Sequence, residues 1–249
     1  VIIFRTDANP KVGMGHIMRC LSIVDAFRDK GKDIVFVLAD HHVEEQIHKS
    51  GYETIVLESS YNDMDSELSL WPQISSEWII VDSYYVTYTN LDILRNKSKV
   101  VYLDDLAAFP YPVDILINYH AYGPEIDYHG LYHNHPPELF LGVTYAPLRE
   151  MFRGIPMKKP RKEIRDVLLS TGGADDLHLA LQLVQMRPEK YNYHILIGVM
   201  NTDRDEIKRL AGDQDNIFIH ENVSDMRSLI IGCDVAISAA GSTLYEICA

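Results

Sequence analysis

Short apolar runs alternate with amphipathic stretches along the whole chain. The apolar runs predict strands at residues 1–4, 33–38, 53–57, 78–81, 100–103 and 115–117, with a short one near 139–141. The same pattern restarts with strands at 166–169, 193–197, 216–220 and 234–238. Between them, apolar positions at helical spacing predict helices at 16–30, 43–50 and 91–96. Further helices are predicted up to 186, at 204–211, at 224–232 and from 243 onward. The first carries Ile17, Cys20, Leu21, Val24 and Phe27 on one stripe, with Gly31 as its stop signal. Strand–helix alternation of this kind predicts an α/β fold with parallel sheets.

Two stretches interrupt the pattern. Residues 59–75 are polar without a clear period, and residues 119–150 are rich in Tyr, His and Pro. Residues 154–162, with two prolines and several basic side chains, predict a linker. The expected organisation is therefore two Rossmann-like domains, 1–150 and 151–249. Facing each other, they would hold a ligand in the cleft between them. The chain starts without Met and stops at 246–249 inside a predicted helix, which predicts a piece of a longer protein whose second domain is cut short at its C-terminus.

Composition narrows the function classes. In 249 residues, hydrophobic positions make up 47% and charged positions 24%, an ordinary globular balance. The formal net charge of −13 argues against a nucleic-acid binder, which would cluster Lys and Arg. It leaves room for an anionic small ligand held by backbone amides. Cys20, Cys233 and Cys248 form no CxxC pair, so neither a zinc site nor a disulfide scaffold is expected, and a cytoplasmic setting fits best. No apolar run is long enough for a membrane span. Oligomeric state is not legible.

Candidate chemistry collects just past the carboxyl ends of predicted strands, where open parallel sheets form their ligand crevice. The first segment is Arg5-Thr6-Asp7 followed by Gly13-Met14-Gly15-His16 and then Arg19. Glycines allow a sharp turn there, and a helix N-terminus suits an anion. His16 at that terminus is placed to act as a base; the plain alternative is a capping loop with a surface histidine. Asp82, Asp104 and Asp105 also follow strands, where they could bind hydroxyls, orient His16 or simply cap. Tyr84, Tyr85 and Tyr88 could line a sugar site or pack on the rim. Gly172-Gly173 and Gly241-Ser242-Thr243 each read as a turn opening a helix, hence as phosphate cradles or plain tight turns. Glu246 lies one helical turn past Thr243, where it could accept from a ribose diol or complete a capping box. His120, His129, His133 and His135 are too loosely spaced to predict a metal site, and no cofactor is expected.

Taken together, these residues resemble the UDP-sugar hydrolases of pseudaminic acid biosynthesis and the related spore-coat polysaccharide proteins. That group is in turn similar to glycosyltransferases with two facing Rossmann-like domains (the GT-B fold), such as the one completing lipid II. The resemblance rests on Arg5, Asp7, Gly13, Gly15, His16 and Arg19, then Asp82-Ser83-Tyr84, Asp104-Asp105, Asn118 and 145–149 with Arg149. In the second half it rests on 170–175, on 222–226 and on 239–246. It implies that His16 is catalytic and that Val223 and Met226 lie near a uracil. It also implies that Ser242 and Thr243 contact the diphosphate while Glu246 holds the ribose. The implied reaction is hydrolysis of a UDP-linked diacetamido-trideoxyhexose to UDP and free sugar, with no metal. A UDP-sugar glycosyltransferase is the alternative, since His16 could deprotonate an acceptor as well as water; a non-enzymatic UDP-sugar-binding protein is the third reading. The family continues past residue 249 with a further strand and an Asn/Gln-containing segment that this chain lacks.

Overall fold

In the computed structural model, the described residues are 1–27, 30–155, 158–239 and 241–249. Arg28 and Asp29 of the predicted first helix, two residues of the predicted linker and Ala240 of the third glycine turn lie outside them. The chain divides into two compact units. One comprises residues 1–12 and 16–147, the other residues 13–15 and 148–249.

The first unit is built on β1 (Ile2–Thr6), β2 (Ile34–Leu38), β3 (Glu53–Val56), β4 (Trp78–Asp82), β5 (Lys99–Leu103), β6 (Ile115–Asn118) and β7 (Glu138–Leu141). They form one parallel sheet in the order β3-β2-β1-β4-β5-β6-β7. β1 is central, pairing Ile2 with Ile34 on one side and Thr6 with Asp82 on the other. Its five residues are all buried, as expected when helices cover both faces of a parallel sheet. Its helices are α1 (Gly15–Asp25), α2 (Glu44–Lys49), α3 (Tyr88–Arg95) and α4 (Tyr128–Leu131). One face of the sheet packs a core of Ile3, Val81, Leu91, Leu94, Tyr102 and Leu116.

The second unit holds β8 (Asp166–Ser170), β9 (Asn192–Ile197), β10 (Ile217–Glu221) and β11 (Val235–Ser238), parallel and ordered β10-β9-β8-β11. Its helices are α5 (Leu179–Gln185), α6 (Arg204–Ala211), α7 (Met226–Gly232) and α8 (Thr243–Cys248). Val167, Leu169, Ile195 and Ile197 pack against Ala180, Val184 and Ile207. Among the described residues no helix is long and apolar enough to cross a membrane.

Two sequence expectations need correction. The first helix ends at Asp25, short of the predicted Lys30. The amides of Ala26, Phe27 and Lys30 instead bond three residues back, to Ile23, Val24 and Phe27, and Gly31, at φ +61°, lies beyond the helix end. Gly172-Gly173 does not open a helix, because α5 starts only at Leu179. The first amides of α5, Leu179 and Ala180, donate to the buried Asp175 carboxylate at 3.1 and 2.9 Å, so the predicted anion-binding terminus is already occupied.

Candidate active site

Strand order in the first sheet reverses direction between β1 and β4, which makes the crevice beyond their carboxyl ends the natural ligand position. Asp7 follows β1, Asp82 ends β4, and α1 begins above them after Gly13, which sits at φ +75° where a side chain would be strained. His16, Arg19 and Cys20 fall at i, i+3 and i+4, so α1 presents all three to the same buried side. Asp82 meets all three.

His16 Nδ1 lies 2.5 Å from Asp82 Oδ1. A carboxylate has no hydrogen to give, so a contact this short places the proton on Nδ1, donating to Asp82. His16 Nε2 has no hydrogen-bond partner among the described residues, so in the neutral ring with Nδ1–H toward Asp82 it is the nitrogen that carries the lone pair. Arg19 Nε donates to Asp82 Oδ2 at 2.5 Å, and its Nη2 to Oδ1. Burial by itself would raise the Asp82 carboxyl. The adjacent Arg19 and His16 outweigh it and hold Asp82 well below the ordinary carboxylate range.

Arg19 extends the network. Its Nη1 donates to Asp105 Oδ2 at 3.0 Å and to the Tyr119 hydroxyl at 2.7 Å. Asp105 also accepts from the Tyr84 hydroxyl at 3.0 Å and meets His120 Nε2 at 3.0 Å. Burial works against ionised Asp105, but His120 and Arg19 bring its carboxyl below the usual value. Burial and the Asp105 charge push the Tyr84 hydroxyl up to about 12, so it stays a donor at neutral pH. The Tyr84 ring stands edge-on to His16, centroids 4.5 Å apart.

Two predicted contact residues are corrected to supporting positions. Arg5 is wholly buried, its guanidinium spent on Glu67 (Nε–Oε2 2.7 Å, Nη2–Oε1 2.5 Å) and on Asp7 (2.6 Å). Asn118 is also wholly buried, donating to the Tyr128 hydroxyl and accepting from the His120 amide. Asp7 accepts the Ala39 amide and lines the crevice beside His16. Asp104 takes the capping alternative: it accepts from the Leu106 and Ala107 amides and the Tyr128 hydroxyl. Glu67 escaped the sequence reading, because nothing local marks a partner 62 residues from Arg5. His120 meets Asp105, and among the described residues no group of three or more His, Cys, Asp or Glu side chains is arranged to hold a metal ion.

In the second unit, Gly172 adopts φ +87° after β8. A Cβ on Gly198 would lie 2.3–2.4 Å from the Gly172 and Gly173 carbonyls, so the backbone segments meet closely there. Val223 is half-buried, and Met226 is buried at the start of α7, whose N-cap Asp225 takes the Ser228 amide. Ser242 precedes α8 without a side-chain cap bond, and Thr243 is its first residue. Glu246 does not form the capping box. Its carboxylate receives a two-pronged ion pair from Arg149, Nε–Oε1 2.6 Å and Nη2–Oε2 2.7 Å. The sequence put both residues in the site without pairing them.

No family model matches the chain. It is 27% identical over 230 residues to the UDP-2,4-diacetamido-2,4,6-trideoxy-β-L-altropyranose hydrolase of Campylobacter jejuni, spanning 90% of this chain and 80% of that protein. It is 24% identical over 260 residues to an uncharacterised protein of Methanocaldococcus jannaschii, of whose length it spans about half (52%). Among solved structures, the Streptomyces sp. SF2575 glycosyltransferase SsfS6 with thymidine diphosphate superposes with a TM-score of 0.62 at 11% identity, covering 98% of this chain and 78% of that one. Acinetobacter baumannii MurG gives 0.56 at 11% identity, covering 98% and 74%. The chain has the two-Rossmann architecture of the GT-B glycosyltransferases and is similar in sequence to a UDP-trideoxyhexose hydrolase.

Proposed function

We propose that the protein hydrolyses a UDP-linked 2,4-diacetamido-2,4,6-trideoxyhexose at the anomeric C–O bond, with His16 as general base. The observation that carries this reading is the Asp82–His16 contact, which puts the proton on Nδ1 and leaves Nε2 as the accepting nitrogen. A water oxygen forms a bond to the anomeric carbon while its proton passes to His16 Nε2. The bond from that carbon to the diphosphate oxygen breaks, and its electron pair leaves with UDP.

The nucleotide belongs to the second unit in this reading, with residues 151–249 as its binding domain and 1–150 as the domain of the base. Backbone amides at Gly172-Gly173 and the hydroxyls of Ser242 and Thr243 would steady the departing diphosphate. Glu246, oriented by Arg149, would accept from the ribose hydroxyls, and Val223 and the edge of Met226 would flank the base. Arg5 and Asn118 act beneath the site by holding Asp7 and the 118–128 segment. The free sugar would serve nonulosonic acid or surface polysaccharide synthesis. The kinship to a named hydrolase supports water as the nucleophile.

The test is release of UDP and reducing sugar from the UDP-sugar with no acceptor present, by wild type and His16→Ala. Acceptor-free turnover in the wild type, reduced about 10²- to 10⁴-fold in the variant with substrate binding retained, is expected. Turnover only when an acceptor is added would make the protein a transferase; equal turnover by both would remove His16 from the chemistry.

A further inference from the structure

The His16–Asp82 pair has a counterpart across Arg19: His120 Nε2 lies 3.0 Å from Asp105 Oδ1. Arg19 joins the two pairs. Its Nε and Nη2 hold Asp82, and its Nη1 reaches Asp105 Oδ2 at 3.0 Å. Two carboxylates therefore share one guanidinium, in the order His16, Asp82, Arg19, Asp105, His120. Formal charge decides what this order does. Arg19 alone cancels Asp82, so a proton arriving on His16 would leave an uncompensated positive charge in a buried cluster. With Asp105 ionised as well, the cluster carries a surplus negative charge, and a protonated His16 brings it to neutrality. We propose that Asp105 is a positioning residue for the base: it holds the Arg19 charge from the far side, so that Asp82 remains available as counter-ion to the imidazolium formed when His16 takes a proton. This inference rests on the reading of His16 as general base and gives a role to a carboxylate that acts on it through Arg19.

The geometry sets the size of the effect. Arg19 Nη2 lies 2.9 Å from His16 Nδ1, while Nη1 is on Asp105. One guanidinium thus bridges the gap, and the Asp105 charge stands no more than roughly 8 Å from the ring, where a unit charge at an effective dielectric of about 20 changes proton affinity by about 10- to 30-fold. Water screens little of it, because the side chains of Asp82, Arg19 and Asp105 are 0%, 6% and 9% exposed. The other groups around His16 do not supply this charge. Tyr84, edge-on to the ring, and Tyr119, on Arg19, keep neutral hydroxyls, both pushed up by burial. Burial likewise pushes up the Cys20 thiol that meets Asp82. Asp7 lines the same crevice, but its carboxylate already receives Arg5 and the Ala39 amide. Asp105 itself is held from several directions. Its carboxylate accepts from the Tyr84 hydroxyl and meets His120, and its carbonyl accepts from the Tyr122 hydroxyl. The His120 ring stacks on Tyr119 and Tyr122, centroids 4.7 and 5.1 Å away.

The experiment is an NMR titration of the His16 imidazole in the full chain carrying isotopically labelled histidine, the signal being assigned by its loss in His16→Ala. The pH profile of kcat/KM for UDP release is measured alongside. Asp105→Asn removes the charge and almost no volume. Without that negative charge His16 releases its proton more readily. The titration midpoint and the acid limb of kcat/KM should therefore both move to lower pH by about 1–1.5 units, with plateau kcat reduced several-fold and KM nearly unchanged. His120→Gln keeps a donor for Asp105 and leaves the Asp105 charge in place, so it should move neither one downward. An unshifted midpoint in folded Asp105→Asn would overturn the proposal. So would an equal downward shift in His120→Gln, which would put the effect in packing instead of charge. Asp105→Ser removes the same charge with a smaller side chain and carries the same test where the asparagine variant lacks native circular dichroism. The titration needs no substrate. Absence of acceptor-free UDP release by wild type would therefore sink the hydrolase reading alone, and the midpoint would still decide the role of Asp105.

Discussion

Replacing Asp82 with Asn changes one buried charge and almost no volume. Asp82 does two things at once: it accepts the Nδ1 proton of His16, and it neutralises the Arg19 guanidinium through both oxygens. An asparagine can turn its NH₂ toward Nδ1, which moves the imidazole proton to Nε2, the atom that has to accept from the nucleophile. The rate then falls by up to the full worth of a general base, about 10²- to 10⁴-fold, equivalent to about 2.7–5.5 kcal/mol of barrier. Because Asp82 is buried beneath His16, KM should move far less than kcat. Breaking a buried ion pair costs about 3–5 kcal/mol. Arg19 keeps Asp105 and Tyr119, so the cost belongs at the low end, a fall in Tm of roughly 6–12 °C. The assay is steady-state UDP release by wild type, Asp82→Asn, His16→Ala and the double variant, below the lowest Tm. If Asp82 acts through His16, the double variant is no slower than His16→Ala. A folded Asp82→Asn with wild-type kcat, or losses that multiply in the double variant, would refute the reasoning.

Glu67→Gln should lower the urea midpoint by the equivalent of about 3–5 kcal/mol, because it strips the wholly buried Arg5 of its two-pronged partner; an unchanged midpoint would mean that Asp7 alone satisfies Arg5. Glu246→Gln should weaken UDP binding by calorimetry about 10- to 100-fold, the worth of a charge-assisted hydrogen bond, while leaving kcat at saturation within a few-fold. Unchanged affinity would leave Glu246 as only the partner of Arg149. Folded Asp82 and Asp105 bind protons less readily than in the unfolded chain, and Asp166, bonded to Asn192 and Arg161, is lowered to about 2. The unfolded state therefore takes up more protons as pH falls through about 4, so their stabilisation is complete above the unfolded value and lost below it. Guanidine midpoints should be flat from pH 7 to 5 and drop steeply between about pH 4 and 2; a midpoint that rises on acidification would contradict the assignment.

Periodicity located the elements because the central strands are buried on both faces, so their apolar runs stand out: 34–38 and 78–82 are two examples. Helix ends were less legible. The stripe Ile17 to Phe27 continues past Asp25, but the amides of Ala26 and Phe27 bond three residues back instead of four. His16, Arg19 and Asp82 were legible as polar residues beyond strand ends, a position that carries chemical meaning. Their mutual geometry was not, since it depends on which strands are neighbours. Glu67 and Tyr61 sit in the polar stretch 59–75, where no period announces burial, and only the fold brings them to Arg5 and Tyr85. Asp175 was read as part of a glycine turn and proved to be the cap of α5, a role that depends on a helix starting four residues later.

The buried ion cluster also has a consequence for how the molecule forms. Its bonds join residues far apart in sequence: 66 positions from His16 to Asp82, 86 from Arg19 to Asp105, and 100 from Arg19 to Tyr119. Each closes a long loop, and each becomes favourable only after β1, β4, β5 and β6 have found their parallel register. An Arg19 desolvated before its carboxylates arrive would be costly, so the cluster locks at the end of folding. During refolding, helical signal should therefore recover ahead of the environment around His16. In the proposed reaction a competent base then reports that β1, β4, β5 and β6 have paired, and a chain stalled with one of those crossovers unmade would be compact, helical and catalytically silent.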